Sequence, residues 1–169
     1  MFIFIRNGNS NKGEHTLFKE AFYMTQLHDH VNKIVATQRV LFTKLHQHHW
    51  YVKGDTFFTL HEKFEELYDE VNEQFDEFAE RLLTIGGKPY STLKEFIDHS
   101  SISEAPYTKE VASEEMVKTV LSDFETVVKD LDKGIELAGE AGDDVTEDLC
   151  IGYKASLEKH MWMLRFYLS

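Results

Sequence analysis

Residues 58–85 read FTLHEKFEELYDEVNEQFDEFAERLLTI. Within them Leu60, Phe64, Leu67, Tyr68, Val71, Phe75, Phe78 and Leu82 recur at intervals of three and four, the spacing that lines one face of an α-helix. Gly86-Gly87 followed by Pro89 stops that helix, because glycine accepts the left-handed backbone at a helix end and proline cannot continue the hydrogen bonding. Upstream, a first helix covers Met24 to Tyr51, with Leu27, Val31, Ile34, Val35, Gln38, Phe42, Leu45 and His49 on one face. Downstream, a third long helix runs from Ser113 to Ala138 through Val117, Val120, Leu121, Phe124, Val127, Val128, Leu131 and Ile135. A fourth opens at Asp144, where Asp144 and Glu147 have the spacing of a capping box, and carries Leu149, Tyr153, Leu157, Met161, Leu164 and Leu168. No stretch alternates strictly enough to read as a strand.

The connection between the second and third long helices is about 25 residues, too long to be structureless inside a compact domain. Within it Ser91-Thr92-Leu93-Lys94-Glu95-Phe96-Ile97 reads as a short helix with its own cap. The expected class is therefore all-α: a four-helix bundle of ferritin-like pattern, with a short helix in the long crossover between helices two and three. Residues 24–169 make up this domain. Residues 1–23 differ in character, because Asn7-Gly8-Asn9-Ser10-Asn11-Lys12-Gly13 has turn chemistry and no periodicity. They are expected to form a flexible extension, with Met24 as an alternative start.

The 169 residues carry 30 acidic against 18 basic side chains, a net charge of −12. Such a surface repels phosphate backbones and attracts cations, although acidity also serves plain solubility. The single cysteine, Cys150, allows no internal disulfide and fits a reducing compartment. Phe2-Ile3-Phe4-Ile5 is too short for a signal-peptide core, and no run is long and apolar enough to span a membrane. These features lead to the expectation of a cytoplasmic protein without a membrane partner.

The second helix carries the informative polar pattern. His61 and Glu65 are four residues apart, as are Asp76 and Glu80, so each pair shares a face. Glu65, Asp76 and Glu80 lie about 40°, 60° and 100° round the helix from His61, which puts all four on the flank of the apolar stripe. A polar flank also suits plain solvation, and spacing is what separates the two readings. His61 and Asp76 are roughly 22 Å apart along the axis, beyond the reach of one metal site. The four positions are nevertheless palindromic about the point between residues 70 and 71. Two copies of this helix paired antiparallel about a two-fold axis would set His61 against Glu80 of the partner subunit, and Glu65 against Asp76 of the partner subunit. Mixed imidazole and carboxylate ligands suit iron better than calcium. His49 continues the face of Phe42 and Leu45 and points towards the second helix, a position that suits a satisfied core histidine as well as a ligand, whereas His46 and His48 are expected at the surface and His160 in the core. No Glu in the chain has a His three residues later, which excludes a di-iron centre of the within-subunit Glu-x-x-His type.

His49-Trp50-Tyr51-Val52-Lys53-Gly54 and Phe57-Phe58-Thr59-Leu60-His61-Glu62-Lys63-Phe64 resemble the signature of the Dps proteins, or miniferritins. The likeness continues through Ala79-Glu80-Arg81-Leu82-Leu83, Ile85-Gly86-Gly87, Gly142-Asp143-Asp144 and Lys159-His160-Met161-Trp162-Met163. It implies a hollow dodecamer that oxidises ferrous iron with hydrogen peroxide and stores the ferric product. It also implies that His49, His61 and Glu65 of one chain meet Asp76 and Glu80 of another. Glu65 stands where relatives often carry Asp. Asp144 and Asp148 match acids that line iron-entry pores, although acids at a helix start also answer the helix dipole. Gly139 replaces a further pore acid of some relatives, and Trp50 matches an aromatic beside the iron centre that could donate electrons; otherwise it is a core aromatic.

The resemblance thus implies a ferroxidase and iron store that protects against peroxide and Fenton chemistry, with iron as the metal and a homo-oligomer of two-fold dimers as the assembly. A DNA-compacting nucleoid protein of the same fold is the alternative, and a structural protein with a disabled site a third. The intact His49, His61, Asp76 and Glu80 argue against the third. Against the second, residues 1–23 hold Arg6, Lys12 and Lys19 with Glu14 and Glu20, no Lys-rich tail, so DNA binding is not expected.

Overall fold

A computed structural model describes residues 10–169 as α1 (Ser10–Tyr51), α2 (Phe57–Thr84), α3 (Leu93–His99), α4 (Ser113–Ala141) and α5 (Asp144–Tyr167). Among the described residues there is no strand, and no helix is long and apolar enough to cross a membrane. The four long helices and the short crossover helix α3 are those the periodicity predicts. α1 starts at Ser10 rather than Met24, so residues 10–23 continue the helix, while residues 1–9 of the expected extension lie outside the described residues. Residues 19–22 are exposed, and a helical segment that buries nothing leaves no apolar stripe to read.

α1 packs against α2 and α4, and α4 against α5. Phe64, Phe78, Phe124, Leu27, Ile34, Leu41, Leu45, Leu67 and Leu131 fill the interior, each fully buried. α3 lies against α1, with Phe96 buried and in edge contact with Phe75 at 5.6 Å. Thr92 caps α3 in a full capping box: its hydroxyl accepts from the Glu95 N–H, and the Glu95 carboxylate accepts from the Thr92 N–H at 2.9 Å. The crossover is held down by polar contacts. Asn32 donates to the Lys88 carbonyl at 2.8 Å and accepts from the Tyr90 N–H at 2.7 Å, and the Ser101 N–H donates to Thr37 Oγ1 at 2.9 Å.

α4 ends on Gly142, whose φ of 71° is the left-handed conformation that glycine adopts without strain. The start of α5 corrects an expectation. The N-cap is Asp143, accepting from the Thr146 N–H at 3.2 Å, and the Asp144/Glu147 pairing is not the cap. Arg81 Nη2 donates to Asp143 at 2.5 Å and Arg81 Nε to Thr146 Oγ1 at 2.8 Å, which ties the end of α2 to this turn.

A polar layer crosses the middle of the bundle. Gln38 donates to Gln74 at 2.9 Å, Gln74 to Glu70 at 3.1 Å, Ser156 to Glu70 at 2.5 Å, and His160 Nε2 lies 2.7 Å from the other Glu70 oxygen. His160 is buried, as expected. Its hydrogen bond holds the Glu70 carboxyl below the usual carboxylate range, outweighing burial, with help from Ser156 and Gln74. A carboxyl depressed in this way contributes stability at neutral pH that is lost as pH falls below its unfolded value of about 4.3. Glu70→Gln should therefore lower stability by about 1–2 kcal/mol near neutral pH and flatten the acid limb of a urea-midpoint-against-pH curve. An unchanged acid limb would remove this layer from the account.

Candidate metal centre

The short loop between α1 and α2 folds His49 back onto His61. Gly54 supplies a φ of 91° in that turn, and the Val52 N–H still bonds to the His48 carbonyl at 2.9 Å. The two histidines then hold each other. His49 Nδ1 donates to the His61 carbonyl at 2.8 Å, and His61 Nδ1 donates to the His49 carbonyl at 2.8 Å. A carbonyl only accepts, so both Nδ1 atoms carry the proton, and in the neutral imidazole that a metal binds both Nε2 atoms present a lone pair. Metal-binding histidines are commonly fixed by this kind of bond on the other ring nitrogen.

The rings stack with centroids 3.6 Å apart and planes 20° apart. Phe57 stacks on the outer face of this pair, 5.0 Å from His61, and Tyr68 meets His49 edge-on at 5.4 Å. Glu65, one turn beyond His61, completes the cluster, and the ligand atoms of His49, His61 and Glu65 all lie within 4.8 Å of one another. His49 is buried, His61 half-buried and Glu65 exposed, so the site opens outward from the subunit. Two imidazoles and a carboxylate suit a divalent first-row metal and leave coordination positions free.

Asp76 and Glu80 do not join this group within the chain. Both are exposed on α2: Asp76 lines a cleft with Asn72, Glu73, Phe75 and Glu77, and Glu80 lines one with Glu77, Arg81, Thr84 and Asp148. Asp148 thus lies near Glu80, while Asp144 is exposed at the α5 start. His46 and His48 depart from the surface positions expected. His46 is half-buried and stacks on Tyr68 at 3.7 Å, and His48 is 9% exposed beside Phe64. Burial, aided by the Lys44 charge, pushes the His48 pKa down to about 4. Trp50 is not a core aromatic: it is 67% exposed, 5.3 Å from His46. Sequence reading missed the supporting rings of Phe57 and Tyr68. Their spacing of four and three from His61 and Glu65 was the available signal.

Residues 28–169 match the ferritin-like domain family, the class that this bundle defines. DNA protection during starvation protein 2 of Bacillus anthracis is 53% identical over 82% of this chain and 94% of that protein. Dps from Listeria monocytogenes superposes with a TM-score of 0.83 at 46% identity, covering 84% of this chain and 92% of the other. Dps from Staphylococcus aureus gives 0.82 at 47%, covering 86% and 96%. The chain belongs to the Dps family of ferritin-like proteins.

Proposed function

We propose that this protein is a ferroxidase and iron store: a hollow dodecamer, cytoplasmic, that oxidises ferrous iron with hydrogen peroxide and retains the ferric product. The observation that carries the reading is the His49–His61–Glu65 cluster, with both Nε2 lone pairs presented by reciprocal Nδ1 hydrogen bonds. Three ligands with one open side make half a centre, and the palindromic placement of Asp76 and Glu80 on the same helix supplies the other half from a second copy. His49 with Asp76 and Glu80 of the partner subunit holds the tighter ferrous ion; His61 and Glu65 help hold the second. The carboxylates offset the metal charge and favour the ferric state. Each ferrous ion gives up one electron, and the peroxide O–O bond takes both. Anaerobic ferrous titration followed in the ultraviolet, then peroxide or oxygen added separately, tests this. Saturation at two ions per shared centre, four per two-fold pair, and faster oxidation by peroxide are expected; no saturable binding would refute it.

Asp144 and Asp148 are both exposed at the start of α5, four residues apart on one face. Three copies round an axis present a ring of carboxylates that lowers the potential for an entering cation. Asp144→Asn with Asp148→Asn should slow iron uptake at low salt, with the difference shrinking as salt rises and assembly unaffected. Equal uptake at low salt would make them helix-start acids only.

DNA compaction is the reading to set beside this one, because the Bacillus anthracis relative is named for DNA protection. A shell with about twelve times the −12 charge of the chain repels DNA unless a basic segment opposes it, and protection then comes from removing iron and peroxide. No retardation of plasmid DNA is expected even at low salt. A complex lost on deletion of residues 1–23 would reverse that conclusion.

A further inference from the structure

α2 leaves two large apolar side chains in solvent, Phe58 (79% exposed) and Leu83 (59%), near its opposite ends and roughly 37 Å apart. A single exposed apolar residue is ordinary, so position decides what these two mean. They stand at equal distances from the point between residues 70 and 71, the point about which His61 mirrors Glu80 and Glu65 mirrors Asp76. At the middle, Asp69 mirrors Asn72, and both are exposed. Phe58, Glu65, Asp69, Asn72, Asp76 and Leu83 lie within about 30° of one line along the helix, with His61 and Glu80 about 50° to its two sides. On this face apolar mirrors apolar, imidazole mirrors carboxylate, and carboxylate mirrors carboxamide. The complementarity therefore extends to Phe58, Leu83, Asp69 and Asn72, which no metal requires.

We infer that this face of α2 receives the same face of a second copy, with Asp69 and Asn72 as the key that sets the register and Phe58 with Leu83 as the closure at either end. The inference rests on the shared centre proposed above and names the residues that bring its two halves into line. About the two-fold axis the Asn72 carboxamide donates to the carboxylate of the partner's Asp69, and the symmetric bond repeats it. The two Asp69 carboxylates come within about one helical turn of each other there, and the carboxamides keep that approach from being unopposed. Each metal centre lies between the key and one closure. Phe58, one turn before His61, meets the partner's Leu83, and Phe57 continues the wall, in edge contact with Phe58 at 5.2 Å and stacked on His61 at 5.0 Å.

Neighbouring registers fail on charge or on contact. A slip of four residues one way sets Asp69 against Asp76 and Glu65 against Glu80, four like-charge approaches in each pair of copies, with Phe58 beyond the helix at Gly87. The opposite slip sets Glu80 against Phe57 and leaves Leu83 against the loop at Gly54. In the mirrored register the one like-charge meeting is Glu65 with Asp76, and there a bound cation offsets it. A polar pair at the centre of a helix contact is a known way of fixing register.

The test reads the register directly, in full-length protein free of iron. Phe58→Cys and Leu83→Cys together in one chain should yield, on mild oxidation, a disulfide between subunits that peptide mapping assigns to positions 58 and 83. Either single variant should yield none, because two copies of one position lie roughly 37 Å apart, and Cys150 is fully buried. Adding Asn72→Asp gathers four carboxylates round the axis and should slow linking by about a hundredfold. Adding Asp69→Asn as well exchanges donor and acceptor and should restore the rate, with circular dichroism confirming the fold throughout. No link in the double cysteine variant, a link mapped to another register, or an Asn72→Asp rate equal to its parent overturns the inference. The restoration by Asp69→Asn decides alone should Asn72→Asp not fold, and its failure then overturns the key. Anaerobic ferrous titration separates this from the iron chemistry. A link at 58 and 83 in protein with no saturable ferrous binding leaves the contact standing and counts against the shared centre.

Discussion

Alanine at His61 is expected to slow peroxide-driven iron oxidation by about two orders of magnitude or more, since even outer partners of metal ligands are worth ten- to a hundredfold. The loss has two parts. One Nε2 ligand disappears, and so does the Nδ1–H that bonds to the His49 carbonyl and the ring that stacks on His49 at 3.6 Å. His49 keeps its own bond to the residue-61 carbonyl but loses the face that orients it. His49→Ala should be equally damaging, and the double variant little worse than either single, because the two side chains act as one unit. Stopped-flow rates for the three variants, with folding confirmed by circular dichroism, check this. Additive losses would mean that the rings serve independently.

Asp143→Ala is expected to remove about 3 kcal/mol or more of subunit stability, the largest effect foreseen outside the apolar core. Its carboxylate caps α5 through the Thr146 N–H and hydroxyl, and it neutralises Arg81, whose side chain is 17% exposed. Alanine would leave that guanidinium half-paired in a nearly dry place. Burial pushes the Asp143 carboxyl up, but the Thr146 hydroxyl, the Thr146 N–H and Arg81 together pull it below the usual carboxylate range. Its stabilisation is therefore present above the unfolded value of about 3.9 and lost only as pH falls beneath it. Asp143→Asn keeps the cap without the charge and should recover about 1 kcal/mol in denaturant titration. Alanine and asparagine variants of equal stability would contradict the capping role.

The four long helices were legible because each buries a stripe, and stripes print a period of three to four residues into the sequence; α3, which buries only Phe96, was legible from its cap. Where burial stops, the signal stops: α1 runs on through residues 19–22 with nothing buried there. Polar burial was legible only in part. Gln38 and His49 lie in register with apolar neighbours and were read inward, whereas Gln74 and His48 were not placed in the interior although both are buried. Hydrophobic pattern assigns polar residues to water, and tertiary partners such as Gln38 for Gln74 are invisible along the chain. The cap at Asp143 was misplaced by one residue because Asp143 and Asp144 are both capable caps, and the contacts of Asp143 with Thr146 and with Arg81 of α2 form only in the fold. At the centre, the turn of His49 towards the second helix was legible from its face, and its meeting with His61 only from the family resemblance. The reciprocal Nδ1 bonds were not, since they depend on the tight turn at Gly54.

The central claim is that each iron centre is shared between two copies, and mixed assemblies test it most directly. Chains carrying His61→Ala are dissociated, combined with chains carrying Asp76→Ala, and reassembled. In a mixed pair both lesions fall in one centre and the other is whole, so ferroxidase activity should exceed that of either variant alone. If mixed pairs form, as native mass spectrometry can establish, and activity stays at the level of the separate variants, the shared centre is wrong.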